Sequence, residues 1–197
     1  IAAKNNGIKK VIYSGSSSCY GDAAVFPTKE ENNIQPYSPY ALQKYIGEEY
    51  CRLYSKIYDV DSVVLRYFNV YGPRMTNNGA YRSVLSVFLE ANQNKQKLNI
   101  VNDGKQKRDF VHVDDVVEAN IMAMKTKTKI ESPINIGCGK NYSVNEIANL
   151  FNAEKTYGEK RIEPQLTLAD ISKARNILKW KPTVDVKEWI TKEIGED

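Results

Sequence analysis

The first clear signal along the chain is a short apolar run, Lys9-Lys10-Val11-Ile12-Tyr13-Ser14, preceded by Asn5-Asn6-Gly7. A glycine stop followed by a brief apolar segment predicts a helix end and then a buried strand. A serine-rich turn (Ser14 to Ser18) follows, then a loop through Pro27, Pro36 and Pro39. From about Pro39 to Tyr58 the apolar side chains Ala41, Leu42, Tyr45, Ile46, Tyr50, Leu53 and Ile57 recur at helical spacing with no internal proline. That period predicts one long amphipathic helix. Asp61 to Phe68, with Val63-Val64-Leu65 at its centre, predicts a second buried strand, and the run ends at Gly72-Pro73. Strand, helix and strand on short connections make a right-handed βαβ unit of a parallel sheet.

Beyond Pro73 the texture changes. A polar loop from Met75 to Tyr81 precedes an amphipathic helix (Ser83 to Asn92), a short strand (Leu98 to Val101) and a turn at Asp103-Gly104. Val111 to Met124 predicts a further helix, with the Asp114-Asp115 carboxylates suited to its N-terminus. Ile134 to Gly137 predicts another strand, and Val144 to Phe151 a helix begun by Ser143, with Glu146 at capping-box spacing. The tail predicts a strand-like stretch (Gln165 to Leu168), a helix at about Asp170 to Leu178, then Trp180, Pro182 and a last amphipathic helix. The fold class expected is α/β.

Composition narrows the function. Of 197 residues 42% are hydrophobic and 26% charged, with a net charge of +4, the balance of an ordinary globular chain. So small and scattered a surplus makes no nucleic-acid groove, and no apolar run reaches the length of a membrane span. The expected compartment is the cytoplasm. Cys19, Cys51 and Cys138 are too far apart for a metal knuckle and read as reduced thiols. With His112 as the single histidine, zinc sites and serine-histidine triads are poorly served. Any catalysis falls to Tyr, Lys, Ser and carboxylates. His112 itself, within Val111-His112-Val113, reads as structural, and Asp114-Asp115 as helix caps.

One spacing stands out. In Tyr40-Ala41-Leu42-Gln43-Lys44 the phenol and the ammonium are four residues apart, so a helix places them on one face. An ammonium close to a phenol favours phenolate and brings tyrosine toward use as a base near neutral pH. The serine turn closing the first strand lies at the carboxyl end of a parallel sheet, where ligands of such sheets bind. YxxxK alone recurs by chance in many helices; the order of strand, serine triplet, Tyr20-Gly21-Asp22, Ser38-Pro39-Tyr40, Lys44 and Arg66-Tyr67-Phe68-Asn69 gives it weight.

Taken with Arg108-Asp109-Phe110-Val111-His112-Val113-Asp114-Asp115 and Asn135-Ile136-Gly137, these segments resemble the extended short-chain dehydrogenase/reductases. The resemblance is to nucleotide-sugar epimerases of the UDP-glucose 4-epimerase type. It implies residues 1–72 as the remainder of a Rossmann-type NAD-binding domain. Residues 73–197 would mainly form a smaller α/β domain for the nucleotide-sugar, with about 109–137 packing back on the Rossmann sheet. It further implies Tyr40 as the acid/base, Lys44 on the nicotinamide ribose, and Ser16 on the same sugar oxygen as Tyr40. Ser17 and Ser18 would support Ser16, and Ser14, Tyr67 and Phe68 would lie at the cofactor. Asn69 and Arg108 would hold the diphosphate of a UDP-sugar or other NDP-sugar. The reaction implied is transient oxidation at C4, in a homodimer when full length. Arg74 is open between a phosphate contact and plain surface.

The sequence departs from the family twice. The GxxGxxG turn that seats a pyrophosphate is not in these residues, so a stretch of roughly a hundred preceding residues is expected to be missing. The first strand would then present an open edge, and the chain alone is expected to associate and to bind NAD weakly. Near the tail, Lys160-Arg161-Ile162-Glu163 stands where the family has Arg-x-Gly-Asp, with Lys160 or Arg161 as the substitute. Thr167 falls where the family sets the size of the sugar pocket, and its small side chain suits an N-acetylated sugar. Two other readings stay open: a non-catalytic sugar-nucleotide-binding or subunit module, and another NDP-sugar reductase or epimerase on the same scaffold.

Overall fold

The computed structural model describes residues 1–58, 60–76, 82–159 and 163–195. A short helix α1 (Ala2–Asn5) leads into strand β1 (Lys10–Ser16), which closes in a 3-10 turn over Ser17–Tyr20. Helix α2 (Pro39–Tyr58) returns the chain to β2 (Asp61–Tyr67), parallel to β1 from Lys10↔Asp61 to Ser16↔Tyr67. Both ends of α2 fall where the apolar period puts them. Its start is fixed chemically: Ser38 Oγ accepts from Ala41 N at 3.1 Å, and Pro39 occupies the first turn, where no backbone N–H is needed.

The chain then changes partners. Phe68 N still donates to Ile136 O at 2.9 Å, but Asn69 N donates to Asp109 O at 3.1 Å. Strand β3 (Asn69–Tyr71) thus leaves the first sheet for a parallel partner downstream. After β3 come α3 (Val84–Gln93), β4 (Leu98–Ile100), β5 (Lys107–Arg108) and β6 (Phe110–His112), the strand that pairs with β3. Helix α4 (Val113–Lys125) leads to β7 (Ile134–Ile136), which completes a parallel β1-β2-β7 sheet. Next are β8 (Tyr142–Ser143), antiparallel to β5, and α5 (Val144–Ala148), then β9 (Lys155–Tyr157), parallel to β4, and finally α6 (Val186–Gly195).

Burial divides into two cores. In the first, Val63 and Leu65 of β2 meet Val116, Ala119 and Ala123 of α4. In the second, Leu85 and Phe88 of α3 meet Phe110, Ile147 and Ile190. Residues of the tail from Ala169 to Trp180 lie in the first core, so the chain crosses back after forming the second. Along β2 the faces alternate. Val63 and Leu65 point toward α4, whereas Ser62 and Arg66 bond to Cys51 O and Glu48 of α2.

Several expectations shift. Phe110 to His112 is a strand, so α4 begins at Val113, two residues later than its apolar pattern suggests. The cap is His112, whose Nδ1 accepts from Asp114 N at 3.2 Å. Asp115, expected as a cap, is buried and serves the tail: its carboxylate accepts from Thr183 N, Thr183 Oγ1 and Val184 N, at 3.0, 2.7 and 3.2 Å. The helix expected from Asp170 to Leu178 widens to a π-turn over Ala174–Leu178. The capping box at Ser143 and Glu146 forms as expected, although α5 ends at Ala148.

Candidate active site

Tyr40, Lys44 and Glu48 follow one another at four-residue intervals on α2 and share its face toward β1 and β2. Lys44 Nζ donates to Ser14 O at 3.0 Å and lies 5.9 Å from the centroid of the Tyr40 ring. The expected phenol–ammonium pair is therefore assembled at the carboxyl end of β1. At that end Ser16 Oγ accepts from Ser18 N at 3.2 Å and from Ser18 Oγ at 2.8 Å, capping the 3-10 turn that Ser17 begins. With its lone pairs so engaged, the Ser16 hydroxyl has its own proton to offer a ligand oxygen. The turn then reverses at Gly21, where φ is +60° and a Cβ would fall 2.1 Å from Gln35 O. Only glycine fits there.

A buried network sets the rotation of α2. Glu48 receives a two-pronged bond from Arg66, Nε to Oε2 at 2.9 Å and Nη2 to Oε1 at 2.5 Å, with both side chains under 10% exposed. Arg66 Nη1 also donates to the Tyr20 hydroxyl at 2.7 Å, and Tyr20 donates on to Asn135 Oδ1 at 2.7 Å. Burial pushes the Tyr20 phenol well above its ordinary value, so it stays a donor. One chain of bonds thus joins α2, β2, the 3-10 turn and β7. Glu48 had a signal in the sequence, its place one helical turn beyond Lys44.

Tyr67 and Phe68 sit apart from this face. The Tyr67 hydroxyl donates to Asn120 Oδ1 of α4 at 3.0 Å and lies 3.3 Å from Ser14 Oγ, while Phe68 is 3% exposed and packs in the first core. Asn69 Nδ2 donates to Asp109 O at 2.8 Å and to Thr167 Oγ1 at 3.1 Å, and Thr167 Oγ1 accepts from Asp109 N at 3.0 Å. Arg108 Nη2 is paired with Glu163 Oε2 at 2.7 Å. Arg108, Asn69 and Glu163 line a cavity of about 640 Å³, with the N-terminal turns of α3 and residues of β4 on its other walls. Glu163, which the sequence reading passed over, also accepts from Asn102 and Gln106. Lys160 and Arg161 lie outside the described residues.

Asp109 joins the two halves. It is fully buried, and its carboxylate accepts from Cys138 N, Gly139 N and Ala169 N at 2.6, 3.0 and 2.9 Å. Burial pushes its carboxyl up to about 6 from 3.8, against the pull of those three amides. The folded state therefore holds this proton more tightly than the unfolded chain, so the contribution is full below about pH 4 and is lost as pH rises through about 6. Urea unfolding of wild type and Asp109→Asn from pH 4 to 7 is expected to show the variant's deficit narrowing as pH rises. A deficit that widens with pH would contradict this account.

Residues 1–137 match the model of the NAD dependent epimerase/dehydratase family. The chain belongs to that family. Within it, the putative UDP-glucose 4-epimerase of Methanocaldococcus jannaschii is 40% identical over 196 residues, which are 95% of this chain and 63% of that protein. Among solved structures, the UDP-N-acetylglucosamine 4-epimerase from Methanobrevibacter ruminantium M1 in complex with UDP-N-acetylmuramic acid superposes with a TM-score of 0.91 at 36% identity. That match covers 98% of this chain and 64% of the other. The UDP-glucuronic acid 4-epimerase from Bacillus cereus, in complex with UDP-glucuronic acid and NAD, gives 0.90 at 32% identity over 98% and 63% of the two chains. The parallel β1-β2-β7 sheet is thus part of the Rossmann-type sheet of these family members, and the chain spans just under two thirds of their length.

Proposed function

We propose that the complete protein is an NAD-dependent nucleotide-sugar 4-epimerase of cytoplasmic carbohydrate metabolism, acting on UDP-glucose and UDP-galactose or their N-acetylated equivalents. The observation that carries this reading is the placement of the Lys44 ammonium between Ser14 O and the Tyr40 ring at the carboxyl end of β1. Tyr40 and Lys44 would hold the nicotinamide ribose of NAD, and the pyrophosphate turn is not among these 197 residues. NAD supplies a hydride acceptor, and later donor, at C4 of the sugar. Tyr40 takes the proton from the C4 hydroxyl and later returns it; Ser16 donates to the same oxygen; Lys44, held by Ser14 O, keeps its ammonium near the Tyr40 ring. Arg108 offers guanidinium donors to a diphosphate in the 640 Å³ cavity, while Asn69 lines the same cavity with both of its amide hydrogens already given to Asp109 O and Thr167 Oγ1.

Thr167 makes the reading testable at the level of substrate. It is tied to Asn69 and Asp109, so its short side chain is fixed in place. We expect the complete protein to turn over UDP-N-acetylglucosamine as well as UDP-glucose, and Thr167→Tyr to lose the N-acetylated substrate roughly 10- to 200-fold relative to the other. Activity on UDP-glucose alone in the unaltered protein would remove N-acetylated sugars from the proposal, and activity on neither would remove the epimerase reading.

The homodimer has its own support. Leu42, Ile46, Tyr50, Leu53 and Ile57 of α2 are 43 to 60% exposed and spaced as one stripe along the helix. Two copies paired through this stripe would cover it. Ile46→Glu in the complete protein is expected to convert a sedimenting dimer to monomer; an unchanged dimer would place the interface elsewhere.

A further inference from the structure

A second phenol lies beside Lys44. The Lys44 ammonium is 5.8 Å from the centroid of the Tyr13 ring, much as it is from that of Tyr40, so two aromatic rings flank one cation. Tyr13 stands on β1 next to Ser14, whose carbonyl holds the ammonium. Its own hydroxyl does not point out toward a ligand. It donates to the backbone carbonyl of Lys44 at 3.2 Å. That approach depends on a missing side chain: a Cβ at Gly47, one turn further along α2, would lie 2.0 Å from the Tyr13 hydroxyl oxygen and 2.5 Å from the carbon bearing it. Glycine in mid-helix is less favourable than alanine. Here it opens the slot that seats the phenol.

We infer that Tyr13 is a positioning residue for Lys44, its ring bracing the ammonium and its hydroxyl clamped to the Lys44 backbone through the gap at Gly47. Lysine carries a long stem with many rotamers, and one hydrogen bond at Ser14 O leaves most of that freedom. A ring face within about 6 Å of the ammonium adds attraction and removes alternative rotamers. The clamp keeps the ring from swinging away. Burial pushes the Tyr13 hydroxyl above its ordinary value, so it stays protonated and keeps donating to Lys44 O.

This inference rests on the proposed use of Lys44 and Tyr40, and its test separates the two. In the complete protein with ¹³Cε-labelled lysine, the Lys44 signal, assigned by its loss in Lys44→Arg, reports the side chain directly. We expect two non-equivalent, ring-shifted Lys44 Hε protons in the unaltered protein. They should become nearly equivalent in Tyr13→Phe, which keeps the ring but releases the clamp, and in Gly47→Ala, which pushes the ring aside. In the same Tyr13→Phe protein kcat should fall roughly fivefold, as for one lost neutral hydrogen bond. An unchanged Lys44 signal in both variants overturns the inference whatever the activity. A loosened Lys44 with unchanged kcat supports the bracing and counts instead against Lys44 as an active-site residue.

Discussion

Glu48→Ala is expected to lower the unfolding free energy by about 3–5 kcal/mol, the usual consequence of leaving a buried charge without its partner. Arg66 loses both prongs of its bond and, among the described residues, keeps the Tyr20 hydroxyl and Glu30 O as acceptors, in a position 3% exposed. Denaturant unfolding measures the loss. A companion variant separates charge from packing: Glu48→Leu combined with Arg66→Met removes both ions and is expected to recover most of the stability, since an apolar pair of similar volume often replaces a buried ion pair at little cost. Because Glu48 lies one turn from Lys44 and two from Tyr40, the double variant should regain stability without regaining full activity. A loss below about 1 kcal/mol for Glu48→Ala, the range of an exposed pair, would show that the bridge does not hold α2.

The second large effect is chemical. Removing the phenolic oxygen with Tyr40→Phe takes away the group proposed to move the proton while leaving the ring that lies 5.9 Å from Lys44. General acid–base catalysis contributes roughly 10²–10⁴-fold, so kcat of the complete protein is expected to fall by about that factor, with little change in the affinity for the nucleotide-sugar. Lys44→Met should give a smaller loss, since it removes the ammonium that Ser14 O holds near the Tyr40 ring. Steady-state rates check both. A Tyr40→Phe protein within threefold of the original, or a Lys44→Met protein with an unchanged rate, would contradict these roles.

How much of this was legible in the sequence depended on whether the cause was local. Helix α2 could be read to its ends because its apolar period, its Ser38-Pro39 start and the absence of proline all act within the helix. Strand β9 could not: Lys155, Thr156 and Tyr157 are all exposed and carry no alternation, and they are held by backbone pairing with β4. The start of α4 was misplaced because Val111 satisfies a helical period and a strand equally well, and only pairing with β3 decides it. Asp115 looked like a cap since its partners, Thr183 and Val184, are nearly seventy residues away.

The site shows the same division. Tyr40 and Lys44 were visible from spacing on one helix, whereas Asp109, at the junction of three segments, and Glu163, paired directly with Arg108 on the cavity wall, required the folded arrangement. Tyr13 gave no sign of its part, because the gap that admits its hydroxyl belongs to Gly47 on another element.

The central claim is that Tyr40 and Lys44 serve an oxidation at C4 that is reversed within the same site. It is tested most directly by incubating the complete protein with a UDP-sugar deuterated at C4 and following the label by proton NMR as the 4-epimer accumulates. The account predicts that the epimer forms with its deuterium retained at C4, and that Tyr40→Phe slows its formation by about 10²–10⁴-fold. Epimer that has exchanged its C4 label for solvent hydrogen, or no epimer at all, would contradict it.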